Sequence, residues 1–362
     1  MKKRFLRAAA AFLAAVLLFP WPGARALSAD HAILLDAQSG RVLYEKDADA
    51  RSLIASTTKI MTGLLVAERC NVMDRVRIPP EAVGVEGSSM YLKEGEVLTV
   101  QELLYGLMLQ SGNDAAVALA IYCGGTVEGF AEQMNDKART LGLTGTHFEN
   151  PNGLDGREHY STARDLAILT AYAMENPIFA KTVSTKTVTA AGRVLTNHNK
   201  LLWRYDGAEG VKTGYTRAAG RILVSSAQRG GRRLIAVTIN APDDWRDHEA
   251  LLDLGFSRYT SKTIALQGQI LAQVEVAGGR GGTVDLVASE DFSYPLAEGE
   301  KVKLYLPGPG FVYAPVEKGD SAGTVYVAVD GKTVGTIPLE YRWSVAAKEP
   351  GRRDRARSRA LF

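Results

Sequence analysis

The chain has 362 residues, 46% of them hydrophobic, and the roughly 320 that follow an apparent leader can bury a large core in two domains. The net charge of +3 arises at the ends: residues 1–26 carry five positive charges and residues 346–362 a net +4, which leaves −6 on residues 27–345. A mildly acidic body gives no sign of a nucleic-acid groove, and Cys70 and Cys123, without a C-x-x-C or a nearby His cluster, give no metal-binding pattern.

Residues 1–26 read as a secretory signal: Lys2, Lys3, Arg4 and Arg7, an apolar run from Ala8 to Phe19, then Ala24-Arg25-Ala26 as a small-residue cleavage site. The apolar run is too short to span a bilayer comfortably. In an exported chain Cys70 and Cys123 either bridge or remain two free thiols, and the spacing does not choose. A hairpin is expected over residues 31–46, around Gln38-Ser39-Gly40. A helix is expected from Ser56 to about Cys70, followed by a second with Val100, Leu103, Leu104, Leu107 and Met108 at helical spacing. Ser111-Gly112-Asn113 interrupts before a third helix, from Asp114 to the Gly124-Gly125 cap. A fourth, amphipathic, carries Val127, Phe130, Met134 and Leu141, and Thr162–Asp165 reads as a capping box before Leu166–Ala173.

After Lys212 the texture turns to strands. Residues 221–228 and 233–240 flank the turn Arg229-Gly230-Gly231, and residues 246–255 read as a helix. From about Lys262 to Val345 short strands are broken by Gly, Pro and Asp, which predicts a separate small β domain over residues 263–345 after a first domain over 27–262. Residues 346–362 form a basic tail with no expected structure.

Three motifs punctuate this order: Ser56-Thr57-Thr58-Lys59, Ser111-Gly112-Asn113 and Lys212-Thr213-Gly214. The chain holds one S-x-x-K and one S-x-N, and of its five Lys-Thr pairs only that at Lys212 is followed by Gly. Each alone is a weak signal, but all three in order make coincidence improbable. On a helix Lys59 shares a face with Ser56, and a serine needs such a base to become a nucleophile. Lys59 can be that base only with a depressed pKa, which the positive end of a helix dipole and the charge of a converging Lys212 would favour. Ser111 is placed to point at Lys59 and relay a proton to a leaving amine, and the Asn113 amide to grip a substrate backbone carbonyl. Thr213 beside a cation suits a substrate carboxylate, Gly214 admits close approach of a substrate, and the Tyr215 N–H pairs with that of Ser56 as an oxyanion site.

With these motifs the chain resembles the penicillin-recognising serine enzymes, and more closely the serine-type D-alanyl-D-alanine carboxypeptidases among the low-molecular-mass penicillin-binding proteins. The resemblance extends through Gly87–Leu92, Asn150-Pro151-Asn152-Gly153-Leu154, His159–Ala163 and Asn199–Trp203, and covers nearly all of residues 28–345. Tyr215, His198 and Asn152 depart from the residues some relatives carry there. The resemblance implies a β-lactamase/transpeptidase-like α/β (α+β) catalytic domain, its antiparallel sheet flanked by helices on both sides, plus a small C-terminal all-β domain. It implies attack by Ser56 on the bond between the two terminal D-alanines of a peptidoglycan stem peptide, covalent capture of β-lactams, and no metal or organic cofactor. Arg246 stands either as a carboxylate-binding arginine or as a surface arginine at a helix start. The basic tail is either a contact for anionic lipid or solvated. Two other readings compete. A serine β-lactamase needs a positioned glutamate, for which Glu149 is the nearest candidate, and a non-catalytic cell-wall-binding protein would carry the motifs as vestiges.

Overall fold

The computed structural model describes residues 26–308 and 310–349, so the leader reading, apart from Ala26, and the tail from Pro350 onward lie outside the described residues. Strands β1 (His31–Asp36) and β2 (Val42–Lys46) form the expected hairpin, after which a 3-10 turn, Ala55–Thr58, leads into α1 (Lys59–Arg69). A helical layer follows: β3 (Arg75–Arg77) and β4 (Val97–Thr99) frame a long loop, then come α2 (Val100–Leu109), α3 (Asn113–Gly124), α4 (Val127–Thr140), α5 (Ala163–Ala173) and α6 (Pro177–Ser184). A small hairpin, β5 (Thr187–Ala190) and β6 (Arg193–Thr196), and a single turn, α7 (Leu201–Arg204), lead back to the sheet as β7 (Ala208–Thr216), β8 (Gly220–Arg229) and β9 (Arg232–Ile239), then α8 (Asp244–Arg258).

The main sheet is antiparallel in the order β2-β1-β9-β8-β7, which leaves β7 as an edge strand. Its side chains alternate between two cores as strand geometry requires. Ile33, Ile222, Val224, Ile235 and Val237 pack into the layer of α1 to α6, whereas Leu34, Leu223, Leu234 and Ala236 pack against Leu251 and Leu252 of α8. Helix α1 is buried along Lys59–Ala67, as befits the centre of a helical layer. On the α8 side, His248 is fully buried, its ring bridging Ser225 Oγ (2.5 Å) and Thr238 Oγ1 (2.9 Å), and burial pushes its pKa down to about 3.

The chain continues from α8 directly into β10 (Tyr259–Ala265), so the expected change of texture at residue 262 falls inside a strand. Strand β11 (Ile270–Ala277), β12 (Thr283–Ala288) and β13 (Phe292–Ala297) follow, then β14 (Val302–Tyr305), β15 (Phe311–Tyr313), β16 (Ser321–Val329) and β17 (Lys332–Tyr341). They make an all-β C-terminal domain: a six-stranded sheet, β14-β16-β17-β12-β11-β15, beside the pair β10-β13, around its own core of Val284, Leu286, Val325, Val327, Ile337 and Leu339. Arg41, in the β1–β2 turn, clamps this domain to the first: it donates to Glu300 and to Pro295 O (2.5 Å), and lies 5.0 and 5.3 Å from the ring centroids of Tyr259 and Tyr294.

Local chemistry moves two expected helix starts. Ala55 takes a left-handed φ of +44°, and Thr57 Oγ1 donates to Ile54 O (2.5 Å), so Ser56 sits in a 3-10 turn and α1 proper begins at Lys59. Thr162 caps α5 by accepting from Asp165 N–H, but the Asp165 carboxylate is engaged by Gly145 N–H and Thr146 Oγ1–H, so the box is half formed. The complete box joins Thr99 and Glu102 at α2.

Cys70 and Cys123 are joined by a disulfide, with Cα atoms 6.6 Å apart. The bridge ties the C-terminal ends of α1 and α3, whose opposite ends carry Lys59 and Asn113. Closing a loop of 53 residues restricts the unfolded chain, so replacing both cysteines by Ala should lower unfolding free energy by about 2–4 kcal/mol in urea titration. An unchanged midpoint would contradict the pairing.

Candidate active site

The end of β7, the 3-10 turn and the start of α3 converge on a cavity of about 360 Å³. Ser56, Ser88, Ser111, Thr213, Gly214 and Tyr215 line it together with His198, Lys200, Arg221, Asp244 and Trp245. The three motifs therefore do meet.

Lys59 is fully buried (0% exposed), and its Nζ lies 2.9 Å from Ser56 Oγ, 2.6 Å from Asn113 Oδ1 and 2.6 Å from the Asn152 carbonyl. Among the described residues no carboxylate bonds to it. Burial drives its pKa well below the usual 10.5, and the charge of Lys212 pushes the same way, against a weaker opposing pull from Asp114. Sequence alone named the Lys212 charge and a helix dipole; the larger cause is desolvation. In the neutral amine, the two N–H groups go to Asn113 Oδ1 and Asn152 O, which can only accept. The lone pair is then left for the Ser56 hydroxyl proton. Lys212 is 2% exposed, burial brings it down to about 7, and its Nζ donates to Thr213 O (2.7 Å).

Asn152 reaches Lys59 because its loop is pinned from several sides. Asn150 Oδ1 accepts from Gly153 N–H (2.7 Å), Thr62 Oγ1 donates to Pro151 O (2.6 Å), and His159 closes the base. His159 Nδ1 accepts the Glu149 N–H (3.1 Å), so its Nε2 carries the proton and donates to Thr58 Oγ1 (2.7 Å); burial holds its pKa at about 4. Asp114, buried, fixes the other wall by accepting from Ser89 Oγ–H (2.6 Å) and from the N–H groups of Met90 and Leu92 (both 3.1 Å).

Several expectations are corrected. Ser111 lines the cavity with a left-handed φ of +59°, but no hydrogen bond joins it to Lys59. Asn113 does not present a free amide: Oδ1 accepts from Lys59 and Nδ2 donates to Glu86 O (2.5 Å), so its side chain orients the lysine. Gly214 makes room for the serine turn, since a Cβ there would lie 3.3 Å from Ile54 O and from Thr57 N. Arg246 lies outside the cavity, 57% exposed, with Nη1 3.6 Å from Asp243, because the first turn of α8 points it to solvent. Glu149 is exposed and does not line the cavity either. Ser88, Lys200, Arg221, Asp244 and Trp245 were not singled out from sequence; the stretches Gly87–Leu92 and Asn199–Trp203 flagged two of them, whereas nothing local flagged Arg221.

A β-sheet between two helical layers, with its edge strand passing a turn-borne serine and two buried lysines, places the protein in the β-lactamase/transpeptidase fold class. Residues 21–243 match the family described as D-alanyl-D-alanine carboxypeptidase, and residues 259–346 match the C-terminal domain of penicillin-binding protein 5. The chain is 36% identical over 338 residues to D-alanyl-D-alanine carboxypeptidase DacF of Bacillus subtilis, covering 89% of this chain and 85% of that one. It is 36% identical over 327 residues to DacC of Escherichia coli, covering 85% and 82%. Among solved structures, penicillin-binding protein 5 of Haemophilus influenzae superposes with a TM-score of 0.78 at 31% identity, covering 89% of this chain and 99% of that one. The chain belongs to the D-alanyl-D-alanine carboxypeptidase family.

The Asn152 loop depends on Gly153, whose φ is +88° and whose Cβ, if present, would fall 1.9 Å from Ala55 O. Gly153→Ala should push the loop off the serine turn and slow penicillin labelling of Ser56 by about 100-fold, the scale of an ångström-sized misplacement. An unchanged labelling rate in stopped-flow acylation would contradict the role given to the loop.

Proposed function

We propose that the protein removes the terminal D-alanine from peptidoglycan stem pentapeptides through an acyl-enzyme on Ser56, as a serine-type D-Ala-D-Ala carboxypeptidase. Family membership carries the reaction class, a serine peptidase hydrolase of peptidoglycan metabolism that binds penicillin covalently. One observation carries the assignment of the machinery: Lys59 Nζ stands 2.9 Å from Ser56 Oγ while two pure acceptors occupy its protons.

In this reading Lys59 takes the Ser56 proton as Oγ attacks the carbonyl between the two D-alanines. The backbone N–H groups of Ser56 and Tyr215 receive the oxyanion, and β7, as an edge strand, offers its backbone to an extended peptide. Lys59 then gives up that proton toward the leaving amine, and Ser111, in the cavity wall but not bonded to Lys59 in the free enzyme, is assigned as its relay once the peptide is bound. Asn113 holds Lys59 in place, Thr213 receives the substrate carboxylate, and Gly214 lets β7 press against the serine turn. Water then cleaves the acyl ester.

A β-lactamase would need a carboxylate poised to activate that water. Glu149 is outside the cavity, and Asp244, the one carboxylate in the lining among the described residues, is held by Arg221. We therefore assign a slowly deacylating penicilloyl-enzyme. Residues 27–262 are read as the catalytic unit and 263–345 as its β-rich companion. The leader and the basic tail would direct the enzyme to the extracytoplasmic face of the membrane, with the tail against anionic lipid. Among the described residues no helix is long and apolar enough to cross a membrane.

D-alanine release from diacetyl-Lys-D-Ala-D-Ala should fall by more than about 10³-fold in Ser56→Ala. Intact mass should show a long-lived penicilloyl adduct on the wild type alone. Equal release by both proteins would remove Ser56 from the mechanism, and rapid penicillin turnover would favour the β-lactamase.

A further inference from the structure

The carboxylate subsite needs a directional cation, and the arginine on which the structure converges is not the one at the start of α8. Arg221 opens β8 directly opposite Tyr215, with Thr213 opposite Leu223. Alternation along paired strands puts Thr213, Tyr215, Arg221 and Leu223 on one face, and Leu223 identifies it as the face toward α8. Arg221 is thus the diagonal neighbour of Thr213, a separation of about 7–8 Å that a carboxylate held by a long side chain and a hydroxyl can bridge.

The guanidinium is also held ready. Its Nη2 alone is engaged, at 2.9 and 3.0 Å from the two oxygens of Asp244. Asp244 is 4% exposed and is itself fixed by the Trp245 N–H (2.9 Å). Among the described residues Arg221 Nε and Nη1 have no protein partner, the side chain is 43% exposed, and it lines the same cavity as Ser56. A planar guanidinium with free N–H groups gives a carboxylate directional, charge-assisted hydrogen bonds. Lys200, also in the lining, adds charge without that directionality.

We infer that Arg221, oriented by Asp244, is the residue that receives the C-terminal carboxylate of the stem peptide together with Thr213. This rests on the carboxypeptidase reading above. The site then prefers acyl donors whose leaving group ends in a free carboxylate, and Arg221 sets that preference.

The test uses two thioesters of an N-acyl-D-alanine, one with thiolactate as leaving group and one with its methyl ester, on the purified full chain. The wild type should favour the free acid in kcat/KM. Arg221→Gln should lower kcat/KM for the acid by about 10- to 100-fold, the loss of one or two charge-assisted hydrogen bonds, and leave the methyl ester within about twofold. Arg221→Lys, with charge but no fork, should recover part of the preference, and Arg246→Gln should keep it. Equal slowing of both esters by Arg221→Gln would mark a structural role and overturn the inference. So would an unchanged preference in Arg221→Gln, or its loss in Arg246→Gln. Turnover of neither ester by the wild type would instead overturn the carboxypeptidase reading, and the assignment of Arg221 with it.

Discussion

Two lysine side chains without access to water, Lys59 and Lys212, are the constraint around which the first domain is arranged. Burying an ammonium without a carboxylate is costly, and the fold meets the cost by letting the proton go. An unfolded chain holds that proton up to about pH 10.5 while the folded chain has released it, so each lysine makes the fold less stable by roughly 1.4 kcal/mol per pH unit between its lowered pKa and 10.5. Because the unfolded state binds more protons in that window, this penalty shrinks as pH rises. In the proposed mechanism this loss of stability leaves an amine beside Ser56 that can act as a base.

The rest of the first domain holds that amine in place. Lys59 is on the central helix, and its carbonyl partner comes from a loop pinned by Asn150, Thr62 and His159. Strand β7 can pass close to the serine turn because Gly214 has no side chain, and Ala55 accepts a left-handed backbone one residue before the nucleophile. The disulfide fixes the far ends of α1 and α3, so the helices that carry the first two motifs cannot splay independently. Arg41 couples this assembly to the C-terminal domain from the opposite end of the sheet.

Much of this was legible in the residues. The turn Arg229-Gly230-Gly231 marked the hairpin of β8 and β9, helical spacing marked α2, and the ordered motifs brought Ser56, Lys59, Ser111, Thr213 and Gly214 to one site. What escaped has physical reasons. The Asn152 carbonyl is a backbone atom, and no residue type announces that a carbonyl will face a lysine. Asn113 was read as a free amide because motif spacing does not reveal that Glu86 lies across from it. Arg221 went unremarked while Arg246 was named, because proximity along the chain to a helix start is visible in sequence, whereas cross-strand proximity to Tyr215 depends on register. The pairing of Cys70 with Cys123 depends on how α1 packs beside α3, which spacing does not encode.

The central claim is that Lys59 is a neutral amine in the resting enzyme, and NMR titration of its side-chain nitrogen tests it most directly. The account predicts that the amine loses its proton well below the usual lysine midpoint of 10.5. An ammonium signal persisting to about pH 10 would contradict it, and Lys59 could not then be the base that activates Ser56.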